Sequence, residues 1–214
     1  MLYYFMPNLL VYPIRRIGYK IRSHFLNLNE KPKCLIISPG GCGSISLTKF
    51  LDKFIKSNLY LEKKYKIFAL GHLYRPPSSF KKQKIKIILI KRNLNEIYKS
   101  MKSRGFIRNS LNIYGDLFPF VYINIFKSNI KIKKKYINYL KLFYKNWNDY
   151  NENLILKIDF KTLFNYETKL KIKKFLEIKN KTFLKKYPKY KRYKKNKNFI
   201  DPSTLLAKKI YKIN

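Results

Sequence analysis

The 214-residue chain carries 49 Lys and Arg against 11 Asp and Glu, a formal net charge of +38, yet 46% of its residues are hydrophobic and 17% aromatic. That apolar share excludes a disordered polycation, and the length suits one domain with a sizeable core. Two cysteines, Cys34 and Cys42, exclude a disulfide framework or a zinc cluster and favour a reducing, cytoplasmic setting. Lys, Ile, Asn, Tyr and Phe are abundant together while Ala, Gly and Val are scarce, so the lysine excess reads as genome bias as readily as selection for an acidic partner.

Residues 1–17 are apolar but interrupted by Pro7, Asn8 and Pro13, and closed by Arg15 and Arg16. The run is too short for a membrane span, and its charges follow the apolar stretch, the wrong order for a cleaved signal. Two readings stand: packing on the domain, or peripheral membrane contact through Tyr3, Tyr4, Phe5, Leu9 and Leu10. Cys34 to Ile37 then reads as a buried strand entering a turn with Gly40, Gly41 and Gly43. Leu47, Phe50, Leu51 and Phe54 recur at helical spacing and predict a helix from about Ser46 to Lys56.

Tyr65 to Leu70 reads as a second buried strand ending at Gly71-His72, and a loop with Pro76, Pro77, Ser78 and Ser79 follows. Ile85 to Ile90 is a strongly β-prone run ending in Lys91-Arg92-Asn93. A helix is expected from Asn93 to about Arg104, stopped by Gly105. Tyr136 to Tyr150, with the lone Trp147, predicts a longer helix, Asn153 to Ile158 a strand, and Tyr166 to Ile178 a helix. Lys179 to Lys197 is a charge run interleaved with Tyr187, Tyr190 and Tyr193. Strands alternating with helices imply an α/β fold with a mostly parallel central sheet flanked by helices.

A strand, a glycine-rich turn and a helix opening on Ser44 and Ser46 make an anion cradle. Glycines let backbone N–H groups turn inward, and the helix N-terminus adds partial positive charge. Nucleotide hydrolases and kinases place a lysine directly after the last glycine. Here Gly43 is followed by Ser44, Ile45 and Ser46, which disfavours a kinase with a degenerate loop. His72, just past an expected strand end, is a candidate proton acceptor. Arg92 and Ser100, two helical turns apart, are candidates to clamp a phosphate, with an ion pair to Glu96 or simple helix capping as the structural alternative. His24 has no supporting context.

Three ordered segments carry a resemblance to the sulfotransferases that use 3′-phosphoadenosine 5′-phosphosulfate (PAPS). Pro39-Gly-Gly-Cys-Gly-Ser-Ile-Ser46 is similar to that family's Pro-x-x-Gly-Thr-Thr loop, one residue longer. Phe68-Ala-Leu-Gly-His72-Leu73 resembles its Lys-Thr-His-Leu segment. Ile87 to Ser100 resembles its strand, Arg-Asn, acidic residue and Ser eight positions past the Arg. Leu156 to Leu163 is like its Tyr-Glu-Asp-Leu strand end.

The resemblance implies a P-loop-type three-layer sandwich, with residues 1–30 as a basic, apolar arm, 31–180 as the domain and 181–214 as a Lys/Tyr-rich tail. It implies a PAPS-dependent enzyme without a metal, with Gly40, Gly41, Cys42, Gly43, Ser44, Ile45 and Ser46 around the 5′-phosphosulfate, Arg92 and Ser100 on the 3′-phosphate, and His72 as base. The acceptor would be a hydroxyl of a sugar, glycan or lipid headgroup, met by loops at Tyr74 to Phe80 and Gly105 to Phe126. Nucleic acid is disfavoured as partner, although a polyanion-binding protein is the rival reading of the charge. Where the family has a basic residue after the loop proline the chain has Gly40, and Leu70 stands for the lysine two before the histidine. Arg75, Lys49 and Lys91 are the candidates for the missing cation.

Overall fold

Four consecutive residues of strand β1 (Cys34–Ile37) and four of β2 (Lys86–Lys91), Ile87 to Ile90, have no solvent exposure in the computed structural model. Neighbouring strand residues point to opposite faces, so both faces of the sheet are covered there. The structure describes residues 28, 30–65, 70–104, 106–107, 110–111 and 129–188. Among them the sheet has three strands in the order β1-β2-β3, with β3 at Ile155–Asp159 and both pairings parallel. Ile37 stands opposite Leu89, and Lys91 opposite Asp159. All three strands therefore end on the same side, where the loops after them meet.

The helices are α1 (Ser44–Leu51), α2 (Asn58–Lys64), α3 (Ser78–Lys82), α4 (Leu94–Ser103), α5 (Asn129–Asn148), α6 (Tyr166–Phe175) and α7 (Thr182–Lys185). The expected α/β architecture, a parallel sheet flanked by helices, is what forms. Helix α5 buries Ile132, Tyr136, Tyr139, Leu140, Phe143 and Trp147, a stripe at three- and four-residue steps. Trp147 Nε1 donates to the carbonyl of Leu73 at 2.8 Å, and Tyr150 Oη reaches the carbonyls of Phe80 and Ile85 at 3.0 and 2.9 Å. Helix α5 and the turn after it thus fasten the segment that follows His72. No helix among the described residues is long and apolar enough to cross a membrane.

Several boundaries differ from the sequence expectations, each for a local reason. Helix α1 stops at Leu51 instead of about Lys56 because Asp52 is recruited forward. Its carboxylate accepts from Ser57 N–H, Ser57 Oγ–H and Leu59 N–H at 3.0, 2.5 and 3.1 Å, holding the start of α2. The Pro76–Ser79 loop gives way to α3 at Ser78, which sends Phe80 into the core. Helix α5 begins at Asn129, ahead of Tyr136. Helix α6 ends at Phe175, not Ile178. Glu177 takes a left-handed φ of 53°, and Ile178 N–H returns to the Lys173 carbonyl at 3.0 Å, closing the helix with a C-terminal cap.

Of the strand expected at Tyr65 to Leu70, residues 66–69 lie outside the described residues. Tyr65 ends α2, and Leu70–His72 forms a 3-10 turn. At that edge β1 is completed by a side chain. Asn58 Oδ1 accepts from Ile36 N–H at 2.7 Å, and Asn58 Nδ2 donates to the Ile36 carbonyl at 2.9 Å. Ser38 N–H donates to the Gly71 carbonyl at 2.9 Å, drawing the turn with His72 onto the end of β1. The proposed arm falls outside the described residues except for Leu28 and Glu30. Phe183 and Tyr187, beyond residue 180, are buried, and both rings pack on Phe50 at 5.0 and 5.1 Å.

Replacing Asn58 by Ala leaves two fully buried backbone groups of Ile36 without partners. The expected loss is about 3 kcal/mol of unfolding free energy, read from a urea or guanidinium titration.

Candidate functional site

The turn after β1 uses backbone that only glycine adopts at ease. Gly41 and Gly43 have φ of 68° and 69°, and Gly43 is the N-cap residue of α1. The bareness of these residues matters as much as their φ. A Cβ built on Gly41 would lie 3.2 Å from Arg104 Nη2 and 3.5 Å from Ser100 Oγ. One on Gly43 would lie 3.0 Å from the Phe160 ring. Gly40, at φ 93°, packs against Met101, and a Cβ there would sit 4.0 Å from His72 Cε1. Side chains from three other segments thus close directly on the glycine backbone.

Hydrogen bonds hold the turn from inside. Ser38 Oγ–H donates to Ser44 Oγ at 2.9 Å, and Gly40 N–H donates to Ser38 Oγ at 3.4 Å. The Cys42 thiol donates to the Gly40 carbonyl at 3.1 Å and is wholly buried, which pushes its pKa up to about 12. Any contribution of Cys42 to a bound anion is therefore through its backbone and not a thiolate. Ile45 and Ser46 are exposed at the start of α1, and Ser44 is half-buried.

Arg92 leaves the end of β2 and donates from Nη1 to the Gly41 carbonyl at 2.6 Å and from Nε to Glu96 Oε2 at 3.1 Å. Its guanidinium lies 4.3 Å from the centre of the Phe160 ring. The ion pair with Glu96, the structural alternative raised by the sequence, is present. It coexists with a bond to the turn. Ser100, two turns along α4, stands beside Gly41 on the side occupied by Arg104. Asn93 caps α4, accepting from Asn95 and Glu96 N–H at 3.0 and 3.3 Å, and so aims the helix that carries Ser100.

His72 is half-buried. Its Nδ1 is 2.6 Å from the Ser38 carbonyl, which can only accept, so Nδ1 carries the proton. In the neutral ring Nε2 is then the basic nitrogen. Burial holds the His72 pKa below its ordinary 6.5. The charge of Arg104 adds to this, and the Ser38 bond opposes it. A neutral imidazole fixed by its rear nitrogen is able to take a proton from a hydroxyl.

The structure therefore brings Gly40 to Ser44, Arg92, Ser100 and His72 to one place. Sequence reasoning missed Arg104, placed by its spacing four residues after Ser100, and missed Phe160 and Ser38. Among the candidates for the missing cation, Arg75 lies over the Tyr74 ring at 5.8 Å, Lys49 is exposed on α1, and Lys91 stands beside Lys157. The atom nearest a Cβ on Gly41 belongs instead to Arg104. Tyr74 to Phe80 is described, whereas most of the loop Gly105 to Phe126 lies outside the described residues. Among the described residues, no three His, Cys, Asp or Glu side chains group so as to hold a metal ion.

No family model matches the chain, and no curated protein does. Among solved structures it is similar to the crystal structure of mouse sulfotransferase SULT7A1 complexed with PAP, at 16% identity and a TM-score of 0.45. The similarity covers 79% of this chain, which spans 66% of the length of that one.

Because its folded-state pKa is lowered, His72 binds a proton more weakly in the folded chain than in the unfolded one. The imidazole should titrate below 6.5 by NMR. The resulting contribution to stability should be complete above that pH and decline on acidification.

Proposed function

We propose that the chain is a sulfotransferase that moves the sulfuryl group of PAPS to a hydroxyl of a sugar, glycan or lipid headgroup. The observation that carries this reading is the convergence of His72, Arg92 and Ser100 on the glycine turn at the ends of β1 and β2. Two clustered arginines beside a glycine turn that leads into a helix N-terminus suit a donor with phosphate at two positions. Sulfuryl transfer also needs a base, and His72 stands at the edge of the same turn.

In the proposed reaction the acceptor oxygen attacks sulfur, forming the new S–O bond. The bond from sulfur to the bridging oxygen of the 5′-phosphate breaks, and that oxygen leaves with the electron pair. The acceptor proton goes to Nε2 of His72, whose Nδ1 bond to Ser38 keeps the ring in the required tautomer. The turn and the first N–H groups of α1 would stabilise the charge that grows on the leaving phosphate. The products are the sulfated acceptor and adenosine 3′,5′-bisphosphate. The lipid or glycan nature of the acceptor rests on the basic surface and the sequence resemblance.

The test is thermal shift with adenosine 3′,5′-bisphosphate against ATP–magnesium at matched ionic strength. The bisphosphate should stabilise the protein more, and Arg92→Ala should remove the difference. His72→Ala should keep bisphosphate binding and lower the transfer rate by about 10²- to 10⁴-fold. Equal, purely salt-sensitive responses to every polyanion would replace this reading with a polyanion-binding protein. Full transfer by His72→Ala would remove the base assignment.

A further inference from the structure

We propose that Arg104, at the end of α4, is the cation of the glycine turn: it binds the anion held there and replaces the positive side chain that position 40 lacks. The inference rests on the donor reading above and adds a residue to it. Gly40 cannot supply the charge in this backbone. At φ 93° any L side chain is strained, and a Cβ would lie 3.3 Å from Met101 Cε. A cation for this turn would therefore have to come from another element.

Arg104 is placed to lend it. Its Nε donates to the Ser100 carbonyl at 3.1 Å and its Nη2 reaches Ser100 Oγ at 3.5 Å, while the guanidinium lies 5.8 Å from the centre of the Phe106 ring. These contacts fix the fork over Gly41, where Nη2 fills the space a Cβ would need. The Arg104 charge also acts on both Cys42 in the turn and His72 at its edge. Arg92 approaches the same peptide from its carbonyl side and is tied to Glu96. The two arginines therefore divide the work: Arg92 holds the Gly41 carbonyl, and Arg104 stands over the turn beside Ser100. A guanidinium fixed in that place suits the oxygens of a phosphate or sulfate, because its planar donors are already aligned.

The experiment measures binding of adenosine 3′,5′-bisphosphate and of inorganic pyrophosphate to the full chain by calorimetry at fixed ionic strength. Arg104→Gln should weaken both by about tenfold to hundredfold, the range for one charge-assisted hydrogen-bonding group. Arg104→Lys should recover most of the loss. Lys102→Gln, which removes the same charge from an exposed site on the same helix, should change affinity less than about twofold by screening. In parallel, Arg104→Gln should raise the NMR titration midpoint of His72, and Lys102→Gln should not.

If Arg104→Gln unfolds the protein by circular dichroism, Arg104→Met keeps the apolar stem and carries the same expectation. Unchanged pyrophosphate affinity in the folded Gln or Met variant overturns the inference, as does an equal loss in Lys102→Gln. Pyrophosphate binding that depends on Arg104 without any preference for the bisphosphate upholds the inference and removes only the PAPS donor.

Discussion

Parallel pairing of β1 with β2 is the constraint on which the site depends. Strands that run the same way must deliver their following loops to the same edge, and the register opposes Ile37 to Leu89. The turn of Gly40 to Gly43 then opens beside the start of α4, and Arg92 meets the Gly41 carbonyl at 2.6 Å. The pairing of β2 with β3, ending at Lys91 opposite Asp159, brings Phe160 to the same edge. Phe160 N–H donates to the Lys91 carbonyl at 2.7 Å, and its ring occupies the space between Gly43 and the Arg92 guanidinium. An antiparallel β1 would carry the turn to the far end of the sheet.

The covering of the sheet explains why this edge keeps its shape. Strands β1 and β2 are apolar on both faces, so the helices above and below are held by burial of Ile, Leu and aromatic side chains. Helix α5 adds polar anchors where the core ends. Trp147 binds the carbonyl of Leu73, directly after His72, and Tyr144 Oη–H donates to the carbonyl of Ile90 at 3.2 Å, two residues before Arg92. The two side chains most important to the proposed chemistry are thus each tied through the backbone to one rigid helix. That ties the positions of both to the same helix.

Among the described residues, several of the few acidic side chains serve local structure. Glu30 binds Lys56 and Lys64, Glu177 binds Lys86, and Glu62 accepts from Leu70 N–H at 2.7 Å. Asp52 holds the start of α2, and Asp159 accepts from Lys161 N–H at 2.7 Å. Most of the basic excess is left unneutralised by the chain itself, and a field of that sign draws anions toward the surface. Such a field acts at long range and without geometry. Any discrimination among anions in the proposed site would have to come from fixed donors around the turn.

Much of the architecture was legible from pattern alone. The apolar runs at Cys34 to Ile37 and Ile85 to Ile90 announced buried strands, and the glycines with Ser44 announced the turn and the helix after it. These are local properties: side-chain periodicity and allowed φ act within a few residues. Arg92 was nameable because it stands at the end of one such run, and His72 because it follows the apolar segment Tyr65 to Leu70. The limits of α1 and α6, the helical turn at Ser78 and the role of Asn58 were not, because they depend on capping groups and burial partners supplied from elsewhere in the chain. Arg104 shows the difference most clearly. Its spacing from Ser100 put both on one helix face, but only the packing of α4 beside the turn after β1 set its guanidinium over Gly41, and that distance belongs to the sheet pairing and not to any segment of the sequence.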